Sequence, residues 1–193
     1  MGKIIAKLIL ALIGWKVAPD IPKEAGRCVM IAAPHTTNWD GILTRLCFYI
    51  LDIPVKIAIK VFWTKFPLGL IVIPFGGLGI DRSPKNPAKP RKSQVEQMAD
   101  FFKQYDQMAL VISPEGTRSL RKEWKMGFYY VAQKAGVPIT FGYLDYANKV
   151  GGVGGPLYLS DDMEADLKKI MAFYKDIKGK YPKYFSVDER YVH

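Results

Sequence analysis

The sequence predicts an α/β fold, a single domain spanning residues 1–193 with a central mixed sheet flanked by helices and an N-terminal amphipathic helix over residues 1–18. Three observations predict it. Short β-rich runs at 28–33, 55–60, 108–111 and 138–144 alternate with helical apolar spacing at 42–51, 95–104 and 124–135, and strands interleaved with helices form layered α/β domains. The 193 residues, 49% of them hydrophobic, suffice for one buried core and fall short of two ordinary domains. Ile4, Ile5, Leu8, Ile9, Leu12 and Ile13 recur at helical spacing beside Lys3 and Lys7, the pattern of a helix lying in a membrane interface or capping a core.

The remaining elements follow in chain order. The run 61–75, with Phe62, Trp63, Phe66, Leu70 and Ile71, fits either short helices or strands. Gly76, Gly77 and Gly79 lead into a short strand, Ile80-Asp81-Arg82, that ends on an arginine. A Pro-rich loop with Lys85, Lys89, Arg91 and Lys92 spans 83–93 and reads as exposed. Gly136 is a natural stop for the helix before it. Strands at 138–144 and 156–159 are expected to flank a Gly-rich turn at 151–155. A last helix carries Met163, Leu167, Ile170, Met171, Tyr174 and Ile177, with Asp161, Asp162 and Glu164 at its N-terminus as the helix dipole favours.

Apart from the C-terminal His193, the chain has one histidine, His35, in the run His35-Thr36-Thr37-Asn38-Trp39-Asp40. It sits where a strand pattern gives way to a helix pattern. Residues five apart on an unbroken helix diverge by about 140°, so a contact between His35 and Asp40 requires a break, which Pro34 and the Thr-Thr-Asn cluster supply. A carboxylate bonded to one ring nitrogen fixes the tautomer and leaves the other nitrogen as a base. The competing reading is a hydrogen-bonded structural histidine.

A second block, Ser113-Pro114-Glu115-Gly116-Thr117-Arg118-Ser119, follows the strand at 108–111. Together the two blocks resemble the glycerolipid acyltransferase family, 1-acylglycerol-3-phosphate acyltransferase-like members in particular, which carry a His-(four residues)-Asp motif and then Pro-Glu-Gly-Thr-Arg-Ser. Between them, Gly76-Gly77-Leu78-Gly79-Ile80-Asp81-Arg82 is similar to that family's Gly-rich segment ending in arginine. Gly136-Val137-Pro138-Ile139 resembles its Val-Pro-Ile strand, except that Phe141 stands where proline is expected, a departure at the acceptor pocket. The resemblance runs from about residue 29 to 141. It implies His35 as base and Asp40 as its orienting partner. It also implies acceptor contacts from Arg82, Glu115, Gly116, Thr117 and Arg118, with the two arginines on a phosphate.

The composition sets further bounds. A net charge of +10 points to an anionic partner. No zinc-finger spacing or aromatic RNA-binding signature accompanies it, so nucleic acid is not the expected partner. Cys28 and Cys47 read as buried small hydrophobes in a reducing compartment, and no metal-ligand spacing is present. No run reaches the ~20 apolar residues of a membrane span, and Lys16-Val17-Ala18-Pro19 makes a poor signal-peptidase site. Without a Gly-x-Ser-x-Gly elbow or a cysteine beside a histidine, direct transfer is expected, not a covalent acyl-enzyme. The expectation is an O-acyltransferase of phospholipid biosynthesis without cofactor or metal, peripheral on the cytoplasmic face of an anionic membrane. It takes a fatty acyl group from acyl-CoA or acyl-ACP to a lysophospholipid-like hydroxyl. The alternatives are a lyso-aminolipid acceptor, or a non-catalytic lipid-binding protein.

Overall fold

The computed structural model of the chain describes residues 2–83 and 92–192, so most of the basic Pro-rich loop expected at 83–93 lies outside the described residues. The chain forms a seven-stranded sheet of β1 (Lys16–Val17), β2 (Arg27–Ala32), β3 (Val55–Lys60), β4 (Gly77–Ile80), β5 (Met108–Ile112), β6 (Ile139–Asp145) and β7 (Val150–Leu157). Their order is β1-β7-β6-β2-β5-β3-β4. The run β6-β2-β5-β3-β4 is parallel. β7 returns antiparallel to β6 and carries β1 parallel to itself, so the sheet is mixed, as expected. Among the described residues six α-helices accompany it: α1 (Gly2–Leu12), α2 (Trp39–Ile50), α3 (Gly69–Val72), α4 (Gln94–Phe101), α5 (Gly127–Ala135) and α6 (Met163–Tyr174).

Alternation along the central strands splits the core in two, because successive side chains point to opposite faces of a sheet. Val29 and Ile31 of β2 and Leu110 of β5 join Phe128, Val131, Ile170 and Tyr174 on one side. Cys28, Met30 and Ala109 face the other side, with Leu10, Trp15, Leu43, Cys47 and Phe48. The ends of the helices follow local chemistry. Ser93 and Glu96 form a reciprocal capping box at α4, Asp162 caps α6, and Gly136 ends α5 in the left-handed conformation that glycine adopts cheaply (φ 64°).

The structure departs from the sequence reading in five places. The strand expected at 80–82 is Gly77–Ile80, built from the glycines themselves, and ends before Asp81 and Arg82. The Gly-rich stretch 151–155 is not a turn but the body of β7, and the reversal occurs at 146–149. Glycine is needed there for clearance: a Cβ on Gly151 would lie 2.6 Å from Cys47 Sγ, and one on Gly154 2.5 Å from Phe173. The N-terminal helix stops at Leu12, and the chain turns at Gly14 (φ 74°) to form β1 instead of continuing to residue 18. Helix α5 begins at Gly127, while Trp124 is buried in the preceding loop, its backbone N–H held by Asp188 at 2.8 Å. Finally, Phe141 packs on Phe173, with ring centroids 4.9 Å apart, in the α5–α6 half of the core. The ambiguous run 61–75 resolves into a 3-10 turn, Val61–Thr64, and the short α3.

Candidate active site

Between the end of β2 and the start of α2 the chain makes a tight loop that brings Asp40 back onto the residues before it. Asp40 Oδ2 accepts the backbone N–H groups of Thr36 and Thr37 at 2.8 and 2.9 Å. His35 Nδ1 lies 3.3 Å from the same oxygen. The expected break between the two motif residues is therefore this loop, and Asp40 sits in the first turn of α2. Its other oxygen, Oδ1, takes the phenol O–H of Tyr146 at 2.6 Å. Burial pushes the Asp40 carboxyl upward, but the hydrogen bonds from His35, Tyr146, Thr37 and Thr36 outweigh it and hold the group below its ordinary value.

Strand β5 neighbours β2, so the loop after β5 reaches the same sheet edge as the loop after β2. Glu115, only 3% exposed, accepts the backbone N–H of His35 through Oε2 at 2.9 Å. Its Oε1 is buried with no hydrogen-bond partner among the described residues. Burial pushes the Glu115 carboxyl up to about 7, against the pull of the His35 backbone bond, the nearby His35 charge and Ser113. The structure thus brings His35, Asp40 and Glu115 together.

The other candidates stand apart. Arg82 follows β4, three strands from β2, which at the usual strand spacing is about 14 Å along the edge. It is exposed and donates to Ala58 O at 3.0 Å. Gly116 adopts a left-handed conformation (φ 65°), and its N–H donates to Ser113 O at 3.3 Å. Thr117 accepts from Ser119 N at 3.3 Å, and Arg118 is exposed. Among the described residues, no hydrogen bond joins Arg82, Thr117 or Arg118 to His35, Asp40 or Glu115.

Two residues beside the site carried no motif signal. Tyr146 is 106 positions from Asp40, and no local pattern connects them. Lys125 reaches over Gly116, its Nζ 2.8 Å from where a Cβ would stand.

His35 and Asp40 also line a cavity of about 240 Å³ between α2 and the sheet, walled by Gly41, Phe48, Val55, Ile57, Val111 and Leu144. Phe141 is not part of this wall. Helix α1 packs on α2 through buried Ala6 and Leu10, leaving Ile4, Ile5, Leu8, Ile9, Leu12 and Ile13 exposed. Phe62, Trp63, Phe66, Leu70, Ile71, Ile73 and Phe75 are exposed too, and the Phe75 ring carries Arg45 of α2 5.8 Å from its centroid. Among the described residues no helix is long and apolar enough to cross a membrane, and no three His, Cys, Asp or Glu residues group as a metal site.

The domain is a mixed-sheet α/β fold that sets a His–Asp pair beside an apolar cavity. The chain belongs to the Acyltransferase family, whose model matches residues 18–140, and acyl transfer is therefore its general chemistry. The fold is similar to the crystal structure of the 1-acyl-sn-glycerophosphate (LPA) acyltransferase PlsC from Thermotoga maritima. The TM-score is 0.54 at 16% identity, over 88% of this chain and 73% of that one. No curated protein matches the sequence significantly.

Proposed function

We propose that this acyltransferase moves a fatty acyl group from a thioester, on coenzyme A or acyl carrier protein, to the hydroxyl of a lysophospholipid-like acceptor such as 1-acylglycerol-3-phosphate. The observation that carries the reading is the His35–Asp40 contact of 3.3 Å at the edge of an apolar cavity. Asp40 takes the Nδ1 side of the ring, which leaves Nε2 to act as base. Nε2 removes the acceptor's hydroxyl proton as its oxygen attacks the thioester carbonyl, and Asp40 stabilises the imidazolium. Collapse of the tetrahedral oxyanion breaks the C–S bond, and the imidazolium returns the proton to the departing sulfur. The acyl chain lies along Phe48, Val55, Ile57, Val111 and Leu144. Glu115 holds the His35 backbone in place, while Arg82, Arg118 and Lys125 supply cations for an acceptor phosphate, with Gly116 and Thr117 shaping that loop.

The acceptor resides in a bilayer, and the same reading places the protein on the cytoplasmic face, attached peripherally. Both exposed apolar segments adjoin the helix that walls the cavity: α1 packs on α2, and Phe75 of the 61–75 run meets Arg45 of α2. Residues 1–19 and 53–80 each contain three lysines and no Asp or Glu, a balance suited to anionic lipid. Phe141 packs in the opposite core half and is not among the residues that line the cavity. The deciding experiment is thiol release from palmitoyl-coenzyme A: release that depends on added lysophosphatidic acid supports the reading, and release unaffected by any lysophospholipid acceptor sinks it.

A further inference from the structure

Asp40 faces His35 with one oxygen and Tyr146 with the other, and the second contact belongs to none of the motifs. Oδ2 is shared by His35 and the N–H groups of Thr36 and Thr37. Among the described residues, Oδ1 has a single donor, the phenol of Tyr146 at 2.6 Å. Tyr146 is itself held on two sides. Its backbone N–H donates to Lys178 O at 2.8 Å, and its ring stands edge-on to buried Trp15, with centroids 4.9 Å apart. The phenol is thus fixed before any substrate arrives.

We propose that Tyr146 is a positioning residue of the acyl-transfer site, its O–H clamping the far oxygen of Asp40 and so setting how strongly the carboxylate holds His35. The physical reason is that a carboxylate has one negative charge to share between two oxygens. A short bond from a phenol draws charge toward Oδ1 and stops the group from rotating. Without that bond, charge shifts to Oδ2, the imidazolium is held more tightly, and less neutral base is present near neutral pH. The other titratable groups around the pair are Glu115 from the β5 loop, Arg45 on α2, Tyr143 on β6, and Tyr181 with Lys180 from the C-terminal segment. Among the described residues, none of them donates a hydrogen bond to Asp40.

This inference rests on His35 as the base, yet its main test needs no turnover. The chain has two histidines, so the ring protons of His35 can be followed by NMR titration and assigned by their loss in His35→Ala. Tyr146→Phe keeps the ring against Trp15 and removes only the hydroxyl. The His35 midpoint is expected to rise by roughly half to one pH unit, the scale of one modest hydrogen bond. Site-specific replacement of Tyr146 by 3-fluorotyrosine strengthens the donor without changing shape, and should move the midpoint down. In the thioester assay, Tyr146→Phe should lower kcat at pH 7 by at most about 3- to 10-fold, the loss of neutral imidazole that a rise of half to one unit allows, leave the donor KM within about twofold, and shift the acid limb of the profile upward. In an Asp40→Asn background it should add nothing. A midpoint unchanged in both Tyr146 variants, or a Tyr146→Phe loss that adds in full to that of Asp40→Asn, overturns the proposal. A shifted midpoint in a protein that transfers no acyl group sustains the clamp and removes the reaction instead.

Discussion

Replacing Glu115 by glutamine should stabilise the protein in a pH-dependent way, and the structure sets the size of the effect. Burial raises this carboxyl from an ordinary 4.5 to about 7, so between those values the folded state holds a proton that the unfolded state has released. Stability therefore falls as pH rises through this window, reaching its full loss above about 7. A difference of 2.5 units at ~1.36 kcal/mol each is about 3 kcal/mol, which for a chain of this length is roughly 6–12 °C in Tm. Glutamine keeps an acceptor for the His35 N–H, now 2.9 Å from Oε2, and carries no charge to desolvate. Thermal melts of both proteins from pH 4 to pH 8 provide the assay. The Glu115→Gln curve should pull away from wild type between pH 4.5 and 7 and run parallel beyond. Curves that stay parallel across the whole range would refute the claim that the ionised carboxylate is strained by burial.

Four further outcomes are expected. His35→Ala should fold normally and lose about 10²–10⁴ in turnover, with a smaller loss for Asp40→Asn; a His35→Ala enzyme of near wild-type turnover ends the mechanism. Arg82→Ala or Arg118→Ala should raise the KM of a phosphorylated acceptor by about 10- to 150-fold. The same variants should spare an analogue without phosphate, and equal losses for the two acceptors exclude phosphate contact. Leu8→Asp with Leu12→Asp, and separately Phe66→Asp with Leu70→Asp, should each weaken co-sedimentation with anionic vesicles without lowering Tm, because all four side chains are exposed. Wild-type binding should weaken with salt as lysine attraction is screened, and vesicle binding unchanged in both variants removes the attachment model. Burial pushes the Cys28 and Cys47 thiols up to about 12 and about 11. The folded chain should therefore resist a thiol reagent at pH 8 that titrates both after denaturation, and fast native labelling would contradict their burial.

Local chemistry was readable in the sequence, and long-range approach was not. The His35–Asp40 contact could be anticipated because Pro34 and the polar cluster break the chain within five residues, and the caps at Asp162 and Gly136 are equally local. The Glu115 motif was legible as a string. Its bond to the His35 backbone depends on β5 lying next to β2, a neighbour relation that no short pattern encodes. Strand β7 was misread because glycine removes the alternation of side chains by which a strand is recognised. Here the missing side chains leave room for α2 at Gly151, where Cys47 approaches, and for α6 at Gly154, where Phe173 does. Tyr146 illustrates the same limit, since a tyrosine after a strand carries no mark of the carboxylate it will meet.

The sheet acts as a partition between two kinds of core, and that division bears on how the protein can change over time. Most of the largest fully buried side chains, among them Tyr129, Tyr174, Phe128 and Ile170, gather on the α5–α6 side, away from the cavity. The α1–α2 side holds a smaller cluster that shares Phe48, Val55 and Leu144 with the cavity wall. Buried bulk thus lies mainly on one face of the sheet, while the lining of the proposed acyl cavity is drawn from the other. Substitutions that resize the cavity, such as Val55→Ala or Leu144→Val, consume a small reserve and leave the larger one intact. Descendants of this chain can accordingly explore new acyl groups on one side of the sheet without renegotiating the fold on the other.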